Sequence, residues 1–246
     1  MFLIMHKRVP MMINEQLFSL YHSHLAGINA FYDELDAQDV TAYEGPLLAY
    51  CWEDQYLKSK YKLVVIGQET HGWYDDYMRS DENIREAMEY PKGFEMGRRY
   101  RRSPFWRYAH QFNYDLNGFD DLNFIWMNVN KFGRSPRPGR PGYGRPDQRV
   151  LDKEVEHYNI LAEELAILKP DVCLFFTGPY YDNDIQRKLP DVSFQKLGDY
   201  ELNQVAQLSS AHLPKHSYRT YHPGYGNFHP NEYKDMLRAI LEECKR

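Results

Sequence analysis

Residues 62–73 read Lys-Leu-Val-Val-Ile-Gly-Gln-Glu-Thr-His-Gly-Trp, a short apolar run that ends at a glycine, a carboxylate and a histidine. The run at 63–66 has the length and the β-branched composition of a strand buried on both faces, and Gly67 ends it. Ligands of open α/β sheets bind at the carboxyl ends of the strands. Three candidate functional residues therefore follow this strand: Gln68, Glu69 and His71.

The rest of the chain alternates between helical and strand patterns. Apolar spacing predicts helices within the first forty residues, at 47–58, at 105–113, at 151–168 and after Asn231, which is a good N-cap. Further apolar runs predict strands at 122–129, 172–176 and 217–221. Strands separated by helices indicate a three-layer α/β/α fold with a central, mainly parallel four-stranded sheet.

The pattern favours one domain over residues 1–246, because no linker or internal repeat interrupts it. Its first sixty residues form a helical N-terminal part, and residues 133–149 form an irregular loop rich in Arg, Pro and Gly. A second polar cluster, Tyr-His-Pro-Gly-Tyr-Gly at 221–226, follows the last predicted strand. Together with the cluster after residue 66, it predicts an active site assembled from distant segments.

Composition predicts a soluble, cytoplasmic protein with no membrane association. Charged residues make up 26% of the 246 residues, and no apolar run approaches the ~20 residues that span a bilayer. The first residues do not have the pattern of a signal peptide. The three cysteines lie far apart, which fits a reducing compartment and excludes a four-cysteine metal site.

Charge is distributed unevenly along the chain, whose net charge is −5. Residues 98–149 contain ten Arg and one Lys against four Asp, and aromatic residues, among them Tyr100, Trp106, Tyr108 and Tyr143, are mixed with them. Such a segment is either a solvated loop or a surface that faces a polyanion, and its arginine content favours the polyanion. The segment therefore predicts a polyanion as the partner, and we expect the protein to act as a monomer.

Four motifs together resemble the uracil-DNA glycosylase superfamily. The family's first motif, Gly-Gln-Asp-Pro-Tyr-His-Gly, corresponds to Gly-Gln-Glu-Thr-His-Gly at 67–72, and its Leu-Leu-Leu-Asn corresponds to Ile-Trp-Met-Asn at 125–128. A later apolar run with a glycine corresponds to 174–178, and the family's His-Pro-Ser-Pro corresponds to His-Pro-Gly-Tyr at 222–225. The order and spacing agree over about 62–228.

The resemblance implies hydrolysis of an N-glycosidic bond in DNA, without a cofactor or a metal. Glu69 would stabilise the positive sugar and orient a water, and His222 would donate a hydrogen bond to the departing base. Asn128 would contact the edge of the flipped base, and the backbone near Gln68 its carbonyl. His71 would form part of the base pocket, and Trp73 or Tyr74 either stacks on the base or packs in the core.

Several alternatives remain open for these residues. Glu69 could be a turn residue, His222 a structural loop histidine, and Asn128 a residue that only ties down its loop. A metal site formed by Glu69, His71, His222 and His229 has no compact spacing to support it. At the level of function, the alternatives are a uracil-DNA glycosylase of base-excision repair, a hydrolase of free nucleotides, or an inactive binding module of the same fold.

One departure from the family bears on the substrate. The family has a tyrosine that packs against carbon 5 of uracil; here either that residue is missing before His71, or His71 stands in its place. Both alignments leave a smaller wall, so the expected substrate is a pyrimidine with a substituent on carbon 5. Hydroxymethylcytosine and its glucosylated form in phage DNA are such bases, which suggests antiviral defence.

DNA binding requires cationic contacts to phosphates and a side chain that fills the gap left by the flipped base. The expected wedge is Tyr225 or Phe228. The expected phosphate contacts follow Asn128 in the chain and are Lys131, Arg134, Arg137, Arg140 and Arg145.

Overall fold

A computed structural model describes residues 11–73, 77–139, 141–226 and 229–246. Its helices are α1 (Ile13–Ser23), α2 (Leu25–Ala37), α3 (Glu53–Lys58), α4 (Asp81–Phe94), α5 (Pro104–Asn117), α6 (Gln148–His157), α7 (Leu161–Leu168), α8 (Asp182–Lys188) and α9 (Pro230–Cys244). Its strands are β1 (Leu63–Gly67), β2 (Phe124–Asn128), β3 (Val172–Phe176), β4 (Ser193–Lys196), β5 (Val205–Ser209) and β6 (His216–Thr220). None of these helices has the length and apolar character that crossing a membrane requires.

The strands form one mixed sheet in the order β2-β1-β3-β6-β5-β4. The four predicted strands are present and pair in parallel, so the α/β class is confirmed. The prediction of only four strands is wrong, because β5 and β4 extend the sheet in antiparallel pairing. β4 is a largely exposed edge strand with Phe194 as its one apolar residue, so it lacks the apolar run that marks the central strands.

Helices cover both faces of the sheet, which explains the continuous apolar run of β1. Val64 and Ile66 face a core formed with α1, α2, α6 and α7. Leu63 and Val65 face a second core formed with α5 and α9. The N-terminal helices α1 and α2 therefore pack on the same face of the sheet as α6 and α7.

Three helix predictions differ from the structure, two at a helix end and one by a break within the predicted helix. The helix predicted at 47–58 begins only at Glu53, because the preceding segment pairs with the chain after β2, with hydrogen bonds from Leu47 N to Lys131 O and from Glu44 N to Gly133 O. The helix predicted at 151–168 is broken between α6 and α7. The last helix is capped by His229 rather than by Asn231.

The loop at 133–149 folds back on itself where it is described. An isolated bridge joins Arg134 to Gly144, and the Arg134 guanidinium donates to the carbonyl oxygens of Gly142 and Tyr143 at 3.2 and 3.0 Å. These contacts place Tyr143 against Gly72, directly beside the end of β1. The loop is thus a folded neighbour of the first motif.

Candidate active site

One cavity of about 580 Å³ opens at the carboxyl ends of β1 and β2. The residues that the sequence predicts for catalysis and for base binding all line it: Gln68, Glu69, His71, Trp73, Asn128 and His222. They come from three separate chain segments, which the parallel sheet brings to one edge.

The close approach of β1 and β2 explains why a glycine ends the first strand. Gly67 lies opposite Asn128 in the parallel register. A Cβ atom at position 67 would lie 2.5 Å from the Asn128 Oδ1 and 3.3 Å from the Phe105 ring. Any side chain here would displace the Asn128 amide from its place in the cavity.

Asn128 presents a buried hydrogen-bond donor without a partner. The residue is 1% exposed, and its Nδ2 has no hydrogen-bond partner among the described residues. A buried amide that makes no hydrogen bond is costly, and native structures contain few of them. This amide is therefore suited to bind a polar ligand edge in the cavity.

His222 is a neutral donor by virtue of its surroundings. Gly224 N–H donates to its Nδ1 at 3.0 Å, so the neutral ring carries its proton on Nε2. The ring lies nearly parallel to Phe105, with centroids 5.7 Å apart. Burial lowers the pKa of His222 to about 4, so the ring is uncharged at neutral pH.

Glu69 is a half-buried carboxyl with one strong donor. The Tyr181 hydroxyl donates to its Oε2 at 2.5 Å. Loss of water on burial raises the pKa of Glu69 to about 7, although the Tyr181 hydrogen bond and the Arg145 charge oppose that rise. A carboxyl with such a pKa can act as a base near neutral pH.

An aromatic wall completes the cavity, and sequence reasoning assigned only Trp73 to it. Trp126 stands at its centre, with its ring centroid 5.1 Å from that of Trp73 and 4.9 Å from that of Trp106. Phe94, Tyr100 and Phe105 line the remaining side. Trp126 precedes Asn128 by two residues on β2, so the period of a strand places both on one face and could have revealed it.

Trp73 packs against neighbouring rings, as one of its two expected roles requires, and it also lines the cavity. Its ring packs edge-on against Trp126 and Phe94. Its Nε1 is buried without a hydrogen-bond partner in the described part of the chain. The indole is therefore both a packed wall and a potential ligand donor.

Gln68 and His71 have different surroundings. The Gln68 side-chain amide donates to Thr177 O at 2.7 Å, which ties the end of β1 to the end of β3. His71 is exposed and lies beside Tyr143, with ring centroids 5.1 Å apart. The wall at His71 is thus open to solvent on one side.

Two of the expected phosphate contacts are already paired with carboxylates of the protein. Lys131 is 1% exposed and its Nζ lies 2.5 Å from Glu164 Oε2, so this ammonium is used inside the protein. Arg145 pairs with the buried carboxylate of Asp184, including a 2.8 Å hydrogen bond from its Nη2. The Lys131 side chain is therefore turned into the protein, whereas the Arg145 side chain is still 38% exposed.

The other members of the expected DNA surface are partly described. Arg137 is exposed, and Arg134 is half-buried. Tyr225 is half-buried and lies flat on Tyr221, with centroids 4.8 Å apart. The expected contacts Arg140 and Phe228, like Tyr74, lie outside the described residues.

Potential metal ligands come together at one place in the described residues, and it is away from the cavity. Glu34, Glu156 and His157 meet there, between α2 and α6. The Lys153 ammonium pairs with both carboxylates, so a cation already occupies this group. Glu69, His71, His222 and His229 do not form such a group.

No protein-family model matches the chain, and no curated protein matches it in sequence.

Proposed function

We propose that this protein is a monofunctional DNA glycosylase. It hydrolyses the N-glycosidic bond of a flipped-out pyrimidine and leaves an abasic site. The observation that carries the proposal is the meeting of three groups in one cavity: the Glu69 carboxyl, the Nε2–H of His222 and the unpartnered amide of Asn128. We expect it to act as a cytoplasmic monomer without a cofactor.

Each group has a defined task in the reaction. The bond between C1′ and the base breaks, the base keeps the electron pair, and water adds to C1′ after giving a proton to Glu69. The uncharged His222 donates to the oxygen of the departing base, a contribution of about 3 kcal/mol in comparable anion sites. Asn128 holds the base edge and so fixes its orientation.

The preferred substrate is a pyrimidine with a substituent on carbon 5, such as hydroxymethylcytosine or its glucosylated form. The solvent-open side at His71 and the volume of about 580 Å³ support a base larger than uracil. Such bases occur in phage DNA, so the corresponding biological role is antiviral defence. Release of uracil alone would instead indicate a repair enzyme.

The charged surface beside the cavity supports DNA as the substrate. Arg99 and Arg102 are exposed, and Arg137 is exposed on the loop whose Tyr143 lies against Gly72. Arg99 and Arg102 adjoin Tyr100 and Ser103, which line the cavity. Exposed cations adjacent in sequence to residues of an aromatic cleft are suited to contact the phosphate backbone of a strand whose flipped nucleotide enters that cleft.

The test is a panel of oligonucleotides and phage DNAs that carry different modified bases, assayed for alkali-labile abasic sites. Wild-type protein should release a 5-substituted pyrimidine, and Glu69→Ala should abolish release while DNA binding remains. Glu242→Ala, at an exposed position on α9, is the matched control and should keep full activity. If the wild type makes no abasic sites on any substrate, the protein is a binding module instead.

A further inference from the structure

Tyr181 touches the candidate catalytic carboxyl from a part of the chain that none of the motifs includes. It ends the single 3₁₀ turn Pro179–Tyr181 after β3, and it is 7% exposed. Its hydroxyl donates to Glu69 Oε2 at 2.5 Å across 112 residues of sequence. This is a short, charge-assisted hydrogen bond when Glu69 is ionised.

The phenol ring is itself held from the other side. The Arg145 guanidinium lies over the Tyr181 ring, 5.1 Å from its centroid. Arg145 is paired with Asp184, which is 2% exposed and also accepts a hydrogen bond from Asn130 Nδ2 at 3.2 Å. The contacts thus run from the basic loop through Arg145 and Tyr181 to Glu69.

We propose that Tyr181 is a positioning residue for Glu69. Its phenol holds the carboxyl toward the cavity and donates the hydrogen bond that the charged form needs, and the pair of Arg145 and Asp184 fixes the phenol ring. The inference rests on the proposed glycosylase function for its meaning in catalysis. The hydrogen bond and its effect on Glu69 can be tested without that function.

The charges around Glu69 determine the expected pH dependence. Desolvation raises the pKa of Glu69 most, and the charge of Asp184 raises it further. The Tyr181 hydrogen bond and the charges of Arg145 and Arg134 lower it. Removing the Tyr181 hydroxyl leaves the carboxyl buried but takes away one of the groups that lower its pKa. The pKa of Glu69 should therefore rise above its present value of about 7.

The decisive variant is Tyr181→Phe, which keeps the ring and removes only the hydroxyl. Single-turnover base release should show its acid limb moved to higher pH by about one pH unit, and the rate at pH 7 reduced about fivefold, because the ionised fraction of Glu69 falls from about one half to about one tenth. The Kd for DNA should not change. An unchanged pH profile in an active variant would overturn the inference and leave the proposed function intact.

Tyr21→Phe is the matched control. Tyr21 also donates to a buried carboxylate, that of Glu164, at 2.9 Å, but away from the cavity. Its loss should lower the free energy of unfolding without moving the pH profile. A shift of the profile in Tyr21→Phe as large as in Tyr181→Phe would mean that general destabilisation, rather than contact with Glu69, causes the effect.

A direct titration separates this inference from the proposed function. The carboxyl carbon of Glu69 can be followed by NMR in protein labelled with ¹³C-glutamate and assigned by its loss in Glu69→Gln. Tyr181→Phe should titrate at higher pH than wild type in the absence of DNA. A raised pKa of Glu69 in Tyr181→Phe, together with no base release by wild type from any substrate, would refute the glycosylase proposal alone. An unchanged pKa would refute the role of Tyr181.

Discussion

Replacing Glu69 by glutamine should stabilise the fold at high pH while abolishing base release. Burial raises the pKa of Glu69 from its ordinary value of 4.5 to about 7. Below pH 4.5 the carboxyl is protonated in both the folded and the unfolded chain. Between these two values the unfolded chain loses the proton first, so wild-type stability falls as pH rises, and the loss is complete above about 7.

The size of the effect follows from the width of this window. Each pH unit corresponds to about 1.4 kcal/mol, so an ionised Glu69 lowers the free energy of unfolding by about 3 kcal/mol above neutral pH. Glutamine does not titrate, and its amide oxygen can still accept the Tyr181 hydrogen bond. The free energy of unfolding of Glu69→Gln should therefore exceed that of wild type by up to about 3 kcal/mol at pH 8.5, and the two should be equal at pH 4.

The assay is urea unfolding of wild type and Glu69→Gln across that pH range. Glu242→Gln, at an exposed position, should show no such pH-dependent gain. A gain that is the same at all pH values would reflect packing rather than ionisation. An equal free energy of unfolding for wild type and Glu69→Gln at pH 8.5 would refute the conclusion that the buried Glu69 carboxylate destabilises the folded protein.

Two further predictions concern the geometry of the cavity and its charged surroundings. Gly67→Ala should lower base release about 10²-fold, because its Cβ would displace the Asn128 amide, and activity equal to wild type would contradict that close approach. Arg137→Ala should reduce the slope of log K for DNA binding against log salt concentration by about one. Lys131→Met should leave that slope unchanged. It should instead lower the free energy of unfolding by about 3–5 kcal/mol, because Glu164 loses its buried partner. An unchanged slope in Arg137→Ala together with a reduced slope in Lys131→Met would mean that Lys131, and not Arg137, contacts a DNA phosphate.

The central strands were predictable because their burial leaves a local signal. A strand between two helical layers must be apolar on both faces, and β1 and β3 show that composition directly. The hairpin of β4 and β5 leaves no such signal, because β4 is largely exposed at the edge of the sheet. Its pairing depends on contacts with β5, which the composition of β4 does not reveal.

The candidate site was predictable to the extent that it lies at strand ends. Glu69 follows β1 and Asn128 ends β2, and parallel strands bring such residues to one edge of the sheet. Phe94 and Tyr100 belong to a segment whose position depends on packing. Their place in the cavity wall therefore had no counterpart in the sequence pattern.

Sequence neighbours were a poor guide to the partners of charged residues. Lys131 and Arg145 lie in a basic segment, yet their charges meet Glu164 and Asp184, which come from later helices. A buried charge needs a partner nearby in space, and that requirement does not depend on separation in sequence.

The chain's own pattern was sufficient for the α/β class, the four parallel strands and the polar residues that follow them, because strand burial and strand ends are local properties. The folded structure alone placed Tyr181 on Glu69, turned Lys131 inward and built the aromatic wall around Trp126. Those features depend on which distant segments come into contact. The pKa values of Glu69 and His222 also depend on the tertiary structure, because they are set by the loss of water in the assembled cavity.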